Sequence, residues 1–340
     1  MFSMRHIEHG DVLFTLTGEN KEEIAKTLAY LGKDEIAAGG DLAIWKGHGL
    51  NAKFLSYVMN SPQLLKAKAL ASNGDIIVHA SLKKMAEIPI PIPPLAEQKR
   101  IVAKIDAAFE KIDALKANAE KNLANAKELF QSALDEAMRP KNGWVEKRLG
   151  DVYRFIDYRG KTPVKISSGV PLVTARNIRM GYIDYTQRDY ISEEEFATRQ
   201  TRGIAHKGDI LFTTEAPMGF VAIADLDVFS TGQRVITFQQ FEDSKLELLN
   251  RYYFYYFQGP CFQGEIKKRA TGATAQGIKA SRLREIQVPV LPVTEQHDIV
   301  KRLDSLSEKT KSLQQNYARQ IADCAEMRQA ILREAFEGRL

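Results

Sequence analysis

The stretch IPIPPLAEQKRIVAKID, Ile90 to Asp106, returns 198 residues downstream as VPVLPVTEQHDIVKRLD, Val288 to Asp304. Each version opens with apolar residues that alternate with prolines, and proline cannot donate to a β-ladder, so an edge strand or an extended exit segment is expected there. A long apolar-periodic run follows. Pro94 and Pro292 stand at its entrance and Glu97 and Glu295 in its first turn, where a carboxylate complements the helix dipole. The repeated phrase therefore predicts a long helix leaving a globular body, twice.

Working outward at the fixed offset of 198, the echo continues without a gap. GDVLFT at 10–15 matches GDILFT at 208–213, Pro62 matches Pro260 and Gly74 matches Gly272. Between 97–138 and 295–336, 15 of 42 positions are identical, which makes internal duplication the first fact about the chain. The copies differ at their starts. The second opens with GWVEKRLGDVYRFIDYRGKTPVKISSGVPLVTARNI (Gly143–Ile178), whose counterpart in the first would lie before Met1, so the first globular body is expected to be shortened. Each body mixes short β-rich runs such as GDILFTT with helical pieces such as LNRYYFYYFQ, the pattern of an α+β domain.

The two helical runs carry matching apolar stripes. Ile101, Ile105, Ala108, Ile112, Leu115, Ala119, Asn122 and Ala126 recur by fours and threes, as do Ile299, Leu303, Leu306, Thr310, Leu313, Tyr317 and, further on, Cys324. Neither run contains Gly or Pro before Pro140 and Gly338, so each predicts a rod of roughly 60 Å at 1.5 Å per residue. Such stripes are helix-pairing surfaces, with Ile101, Ile105, Ile112, Leu115, Ile299, Leu303, Leu306 and Leu313 as the pairing residues. The expected architecture is α+β: two globular domains (1–92 and 141–290) separated by two long helices (93–140 and 291–340) that form an antiparallel coiled coil with an internal pseudo-twofold repeat.

With 44% hydrophobic residues in 340 the chain has material for two cores. No apolar run is long enough to cross a bilayer and the first residues lack a signal-peptide core, which predicts a cytoplasmic protein without membrane contact. Cys261 and Cys324 are too few for a disulfide framework or a four-sulfur zinc site. Residues 1–95, 96–140 and 291–340 are each charge-balanced, whereas 141–290 hold 22 basic and 17 acidic side chains. The whole net charge of +5 sits in that segment, where an anionic partner is to be sought.

Within it, Lys267, Lys268, Arg269, Lys279, Arg282 and Arg284 cluster around a Gly-rich loop carrying Thr271, Thr274 and Gln276. Backbone NH groups and short polar side chains suit phosphates, and glutamine suits an adenine edge. Arg159 and Lys161 in YRGKTP, Arg176 and Asn177 in TARNI, Thr213 and Thr214 after GDILF, and Arg234 in STGQRV complete the candidate DNA-binding set. The aromatic run from Tyr252 to Phe257 invites base stacking, but at helical spacing it reads as core. Catalytic signatures are missing: there is no GxxxxGK[ST] loop, no histidine pair at helical spacing, no Asn/Asp-Pro-Pro-aromatic sequence and no predicted metal site. The triplet Glu265-Ile266-Lys267 is a chance match to nuclease sites.

The organisation resembles the specificity subunit of type I restriction-modification systems, in which target-recognition domains alternate with conserved helices. Pro94-Leu95-Ala96-Glu97-Gln98, Pro292-Val293-Thr294-Glu295-Gln296, Gly208-Asp209-Ile210-Leu211-Phe212, the stretch Thr271–Pro292, and Trp144 with Leu149-Gly150-Asp151-Val152 and Gly160-Lys161-Thr162-Pro163 carry the likeness. It implies a non-catalytic subunit that recognises a bipartite target in double-stranded DNA and docks methylation subunits, two in number, and restriction subunits. S-adenosylmethionine, ATP and magnesium would belong to those partners, with no cofactor in this chain. The alternative is an assembly or decoy subunit that binds partners through its helices and reads one half-site.

Overall fold

The protein is described by a computed structural model that covers residues 5–21, 24–74, 78–141, 143–272 and 276–339. It divides into two compact units, one of residues 1–124 with 314–340 and one of residues 125–313. The boundaries fall inside the long helices, Leu95–Ala137 and Val293–Phe336, because each unit packs its own stretch of both.

In the first unit, strand Val12–Thr15 lies between Thr27–Ala29 and Leu42–Trp45, antiparallel to both. Helix Ala52–Met59 follows; its N-cap Asn51 accepts a hydrogen bond from the Phe54 amide at 3.0 Å. Helix Pro62–Ala71 uses proline in its first turn, where a missing NH costs nothing. A small sheet of Thr17–Gly18, Ser72–Asn73 and Val78–Ala80 closes the body. Val12, Phe54, Leu55 and Val58 form its core with Ile101, Val102 and Ile105 from the start of the first long helix and Leu332 and Ala335 from the end of the second.

The second unit has a four-stranded antiparallel sheet in the order Tyr153–Asp157, Val235–Gln240, Ile210–Thr213, Val221–Ile223. A second sheet sets Val170–Val173 between Asp189–Ile191 and Ser230–Thr231. Helix Asn250–Gln258 buries all six of its aromatic residues, Tyr252 to Phe257, so that run is core and carries no stacking platform. Leu134, Ala137 and Met138 from the end of the first long helix, and Ile299 and Leu303 from the start of the second, belong to the same core.

Within each unit the two long helices run antiparallel. Ion pairs mark it: Arg328 to Asp113 at 2.7 Å in the first unit, and Arg302 to Glu136 at 3.8 Å in the second. Of the predicted pairing residues, Ile101, Ile105, Ile112, Ile299 and Leu303 are buried and Leu306 half-buried. Two are corrected. Leu115 and Leu313 are 54% and 40% exposed. Each stands beyond the start of its helix, where a globular body packs against Ile101, Val102 and Ile105 or against Ile299 and Leu303. Ala119 and Thr310, closer to the centre of each stripe, are buried instead.

The repeat is real in three dimensions, but the gapless offset conceals a slip. Val12 pairs with Ala29, whereas its counterpart Ile210 pairs with Ile223, four residues short of the offset. A longer first hairpin loop in one copy is compensated before helix Ala52–Met59, whose counterpart Asn250–Gln258 is back in register. The exit segments differ too: Gln287–Val290 pairs with Val145–Arg148 as a two-stranded ribbon, while 89–94 has no strand partner among the described residues.

The Glu-Gln phrase acquires a structural meaning from the same comparison. Gln98 and Gln296 are buried. Gln98 Oε1 accepts from the Asn51 amide at 2.8 Å and its Nε2 donates to the Pro93 carbonyl at 2.8 Å. Gln296 repeats this with the Leu249 amide and the Leu291 carbonyl, both at 2.9 Å, and adds the Glu247 carbonyl at 2.9 Å. About two turns further along, Asp106 accepts from Lys53 and Tyr57, and Asp304 from Arg251 and Tyr255, at 2.5 to 2.8 Å. Burial first, and then the carboxylate bond, push both phenols well above the usual tyrosine range, so each remains a donor. Each long helix is thereby fastened to its body at two points about two turns apart.

Candidate nucleic-acid interface

The candidate surface lies in the second unit, where the ends of the central strands meet the Gly-rich loop. Thr271 and Gly277 exchange backbone hydrogen bonds at 2.8 and 2.9 Å, which clasps the loop at its base. The Ile278 amide then donates to the Thr214 carbonyl at 3.0 Å, and the Thr214 amide to the Arg234 carbonyl at 3.0 Å. Gly277 bridges Glu215, whose carboxylate holds the Arg234 guanidinium at 3.2 Å. The Arg159 guanidinium reaches the Ile278 carbonyl at 3.4 Å. Segments far apart in sequence thus converge on one loop.

A cavity of about 150 Å³ opens beside them, lined by Thr162, Lys165, Arg176, Gln233 and Arg234 among others. Arg176 is exposed, and Thr162 donates to Gln233 at 2.9 Å. That Lys165 and Gln233 line one cavity, and that Glu215 pairs with Arg234, was not legible, because nothing in their sequence separation indicates proximity.

The predicted residues separate by their environment. Lys267, Gln276 and Lys279 are exposed, and Arg282, also exposed, donates to the Arg269 carbonyl at 3.0 Å without losing charge. Lys268 and Arg269 both pair with Glu265, whose carboxyl they hold below its usual range, Lys268 first. Those two cations are largely compensated within their own helix. The nuclease-like triplet dissolves in the same way, since Ile266 is core and Glu265 is engaged. Arg284 stacks over the Phe155 ring at 4.3 Å. Arg159 lies 2.7 Å from Asp157, and Lys161 donates to Thr201 at 2.8 Å. Thr274 lies outside the described residues.

Three predicted contacts are corrected. Asn177 is buried: its Oδ1 accepts from the Thr174 amide and hydroxyl at 2.9 and 2.8 Å, and its Nδ2 donates to the Asp184 and Gln187 carbonyls at 3.1 and 2.8 Å. All its capacity is spent on holding a loop. Thr213 is fully buried and accepts from the Phe220 amide at 2.9 Å; Thr214 is buried and donates to the Arg234 carbonyl at 3.2 Å. These side chains build the floor and have no surface to offer a base.

A duplicated helix-and-body scaffold with a cavity lined by Lys165, Arg176 and Arg234 is the frame of a modular recognition protein. The chain belongs to the type I restriction-modification specificity family: the profile described as "Type I restriction modification DNA specificity domain" matches residues 12–125 and 141–321. The EcoBI specificity subunit of Escherichia coli is 23% identical over 317 residues, 85% of this chain and 66% of its own length. The EcoKI specificity subunit of Escherichia coli (strain K12) is 26% identical over 270 residues, 74% of this chain and 58% of its own. The chain therefore spans two thirds or less of these two relatives. Among solved structures, a chain from work titled as the structural basis of complex assembly and conformational transition of the type I R-M system has a TM-score of 0.79 at 22% identity, covering 100% of this chain and 85% of that one. The HsdS subunit from Thermoanaerobacter tengcongensis gives 0.61 at 23% identity, covering 98% and 82%. At these identities the likeness shows the fold.

Proposed function

We propose that this protein is the non-catalytic, sequence-reading subunit of a type I restriction-modification assembly. The observation that carries the reading is that Arg159 reaches Ile278, Arg234 is held by Glu215 against Gly277, and Arg176 lines the adjoining cavity with Arg234, close to the exposed Lys279, in the segment that holds the entire net positive charge. Each unit addresses one part of a bipartite duplex target. The doubled fastening of helix to body, through Gln98 with Asp106 and Gln296 with Asp304, gives two near-equivalent surfaces for two methylation subunits, with restriction subunits added to that assembly. S-adenosylmethionine, ATP and magnesium act on those partners.

Replacing Lys279 and Arg282 together with alanine should weaken duplex binding several-fold and reduce the steepness of its salt dependence by up to about two ions, because displaced counterions make phosphate contacts salt-sensitive. Unchanged affinity and slope would remove the surface from consideration.

One observation favours a second reading, an assembly subunit that reads a single half-site. At the positions of Lys267, Lys268, Arg269, Lys279, Arg282 and Arg284 the first copy has Ala69, Leu70, Ala71, Ser81, Lys84 and Ala86, and Leu70 is 85% exposed. Footprinting of the assembled complex separates the two: two protected patches support bipartite reading, one supports the alternative.

A further inference from the structure

The candidate surface contains one carboxylate whose placement is not explained by phosphate binding. Glu215 is half-exposed beside the cavity and its only polar side-chain partner among the described residues is Arg234, at 3.2 Å. Arg234 is exposed and equally has no second polar side-chain partner among them. A half-exposed ion pair contributes little to folding, and a carboxylate set among cations that face phosphates opposes binding. Its position is nevertheless firmly built. Thr213 pairs with Val235 at the end of two central strands, the Thr214 amide bonds the Arg234 carbonyl, and Glu215 bridges Gly277. Gly277 packs closely enough that a Cβ there would meet Glu215 Cβ at 3.3 Å. The backbones of both side chains are fixed before any ligand arrives.

We propose that Glu215 and Arg234 act together as the reader of one C·G base pair, Glu215 accepting from cytosine N4 and Arg234 donating to guanine O6 and N7. The assignment rests on the surface being a DNA interface and deepens that reading to a single base pair. In the major groove the available amino donors are cytosine N4 and adenine N6. Adenine places its N7 acceptor beside N6, which repels a carboxylate; cytosine presents no such acceptor. Guanine presents O6 and N7 together, the pair of acceptors that a planar guanidinium meets with two bonds. A cytosine paired with guanine therefore lays a donor next to two acceptors, as the protein lays a carboxylate next to a guanidinium. In the free protein the two side chains satisfy each other, so neither charge stands uncompensated while the site is empty.

The test is selection of duplexes from a randomised pool by the full-length chain and by its Glu215→Gln, Arg234→Gln and Arg234→Lys variants, with thermal melts of each. The wild type should hold C·G at one position of its selected site. Each variant should relax that position alone, by roughly 5- to 150-fold in relative affinity for one good bidentate contact, while the other positions are retained. Arg234→Lys keeps the charge and can keep the ion pair, so a loss of guanine preference at unchanged melting temperature excludes a merely structural role. Unaltered preferences at every position in all folded variants would overturn the assignment and leave the DNA-reading function standing. Failure of the wild type to enrich any sequence would overturn both.

Discussion

Replacing Lys68 with methionine should stabilise the first unit, by an amount that depends on pH in a defined direction. Lys68 is fully buried, and its Nζ donates to the Ala25 carbonyl at 2.6 Å. Ala25 belongs to a small apolar cluster with Ile24, Ala71, Val78 and Met85. At offset 198 the same helical position is Ile266, a core residue. Burial lowers the Lys68 pKa from 10.5 to about 8. At about 1.4 kcal/mol per tenfold, the folded state carries a penalty of roughly 3 kcal/mol at neutral pH. Methionine fills similar volume without the charge, and the Ala25 carbonyl keeps the Thr27 hydroxyl as a donor at 3.0 Å. Allowing about 1 kcal/mol for the lost hydrogen bond, the net gain is about 2 kcal/mol. The folded pKa is the lower one, so between pH 8 and 10.5 the unfolded chain binds more protons and wild-type stability rises with pH; below pH 8 the penalty is at its full value. The gain from the substitution should therefore be largest at pH 7 and shrink towards pH 10.5. Urea denaturation of the full chain at both pH values, with hydrogen exchange followed in Pro62–Ala71, measures it. A destabilised variant, or a gain equal at the two pH values, would refute the reasoning.

Two further substitutions probe the second unit. Gln296→Leu strands the Leu249 amide and two carbonyls in the interior and should cost about 2–4 kcal/mol, read as a lowered melting temperature; a neutral effect would mean the glutamine does not fasten the helix. Asn177→Ala removes the four hydrogen bonds of a buried side chain and should cost about 2–3 kcal/mol while leaving base preference intact in the protein that remains folded; an altered target sequence without loss of stability would return Asn177 to the interface.

Periodicity and repetition carried most of the architecture. The duplicated phrase marked the starts of both long helices to within two residues and their ends to within four, and the aromatic run from Tyr252 to Phe257 read correctly as core, because burial of a helix leaves a pattern that one sequence displays by itself. Register did not show. The slip between Val12·Ala29 and Ile210·Ile223 cancels before the next helix, so a constant offset hides it. The candidate surface was legible in its charges but not in its grouping. Arg159, Arg176, Arg234 and Lys279 stood out by charge, whereas Thr213, Thr214 and Asn177, whose polar side chains suit a base edge equally well, are used as floor. Only the partners of each polar atom tell these uses apart, and those partners lie up to 119 residues away, as with Arg159 and Ile278.

Gln296 has a mechanical consequence for the second unit. Its amide is bonded to the chain entering helix Asn250–Gln258, to Glu247 and to the last residue before Pro292, and Asp304 grips the same helix one to two turns on. Two fixings along one axis suppress swivel as well as separation. A torque applied to the start of the second long helix is then delivered to the body undamped, and a rotation of the body is delivered to the helix, so this joint works as a keyed shaft and not as a hinge.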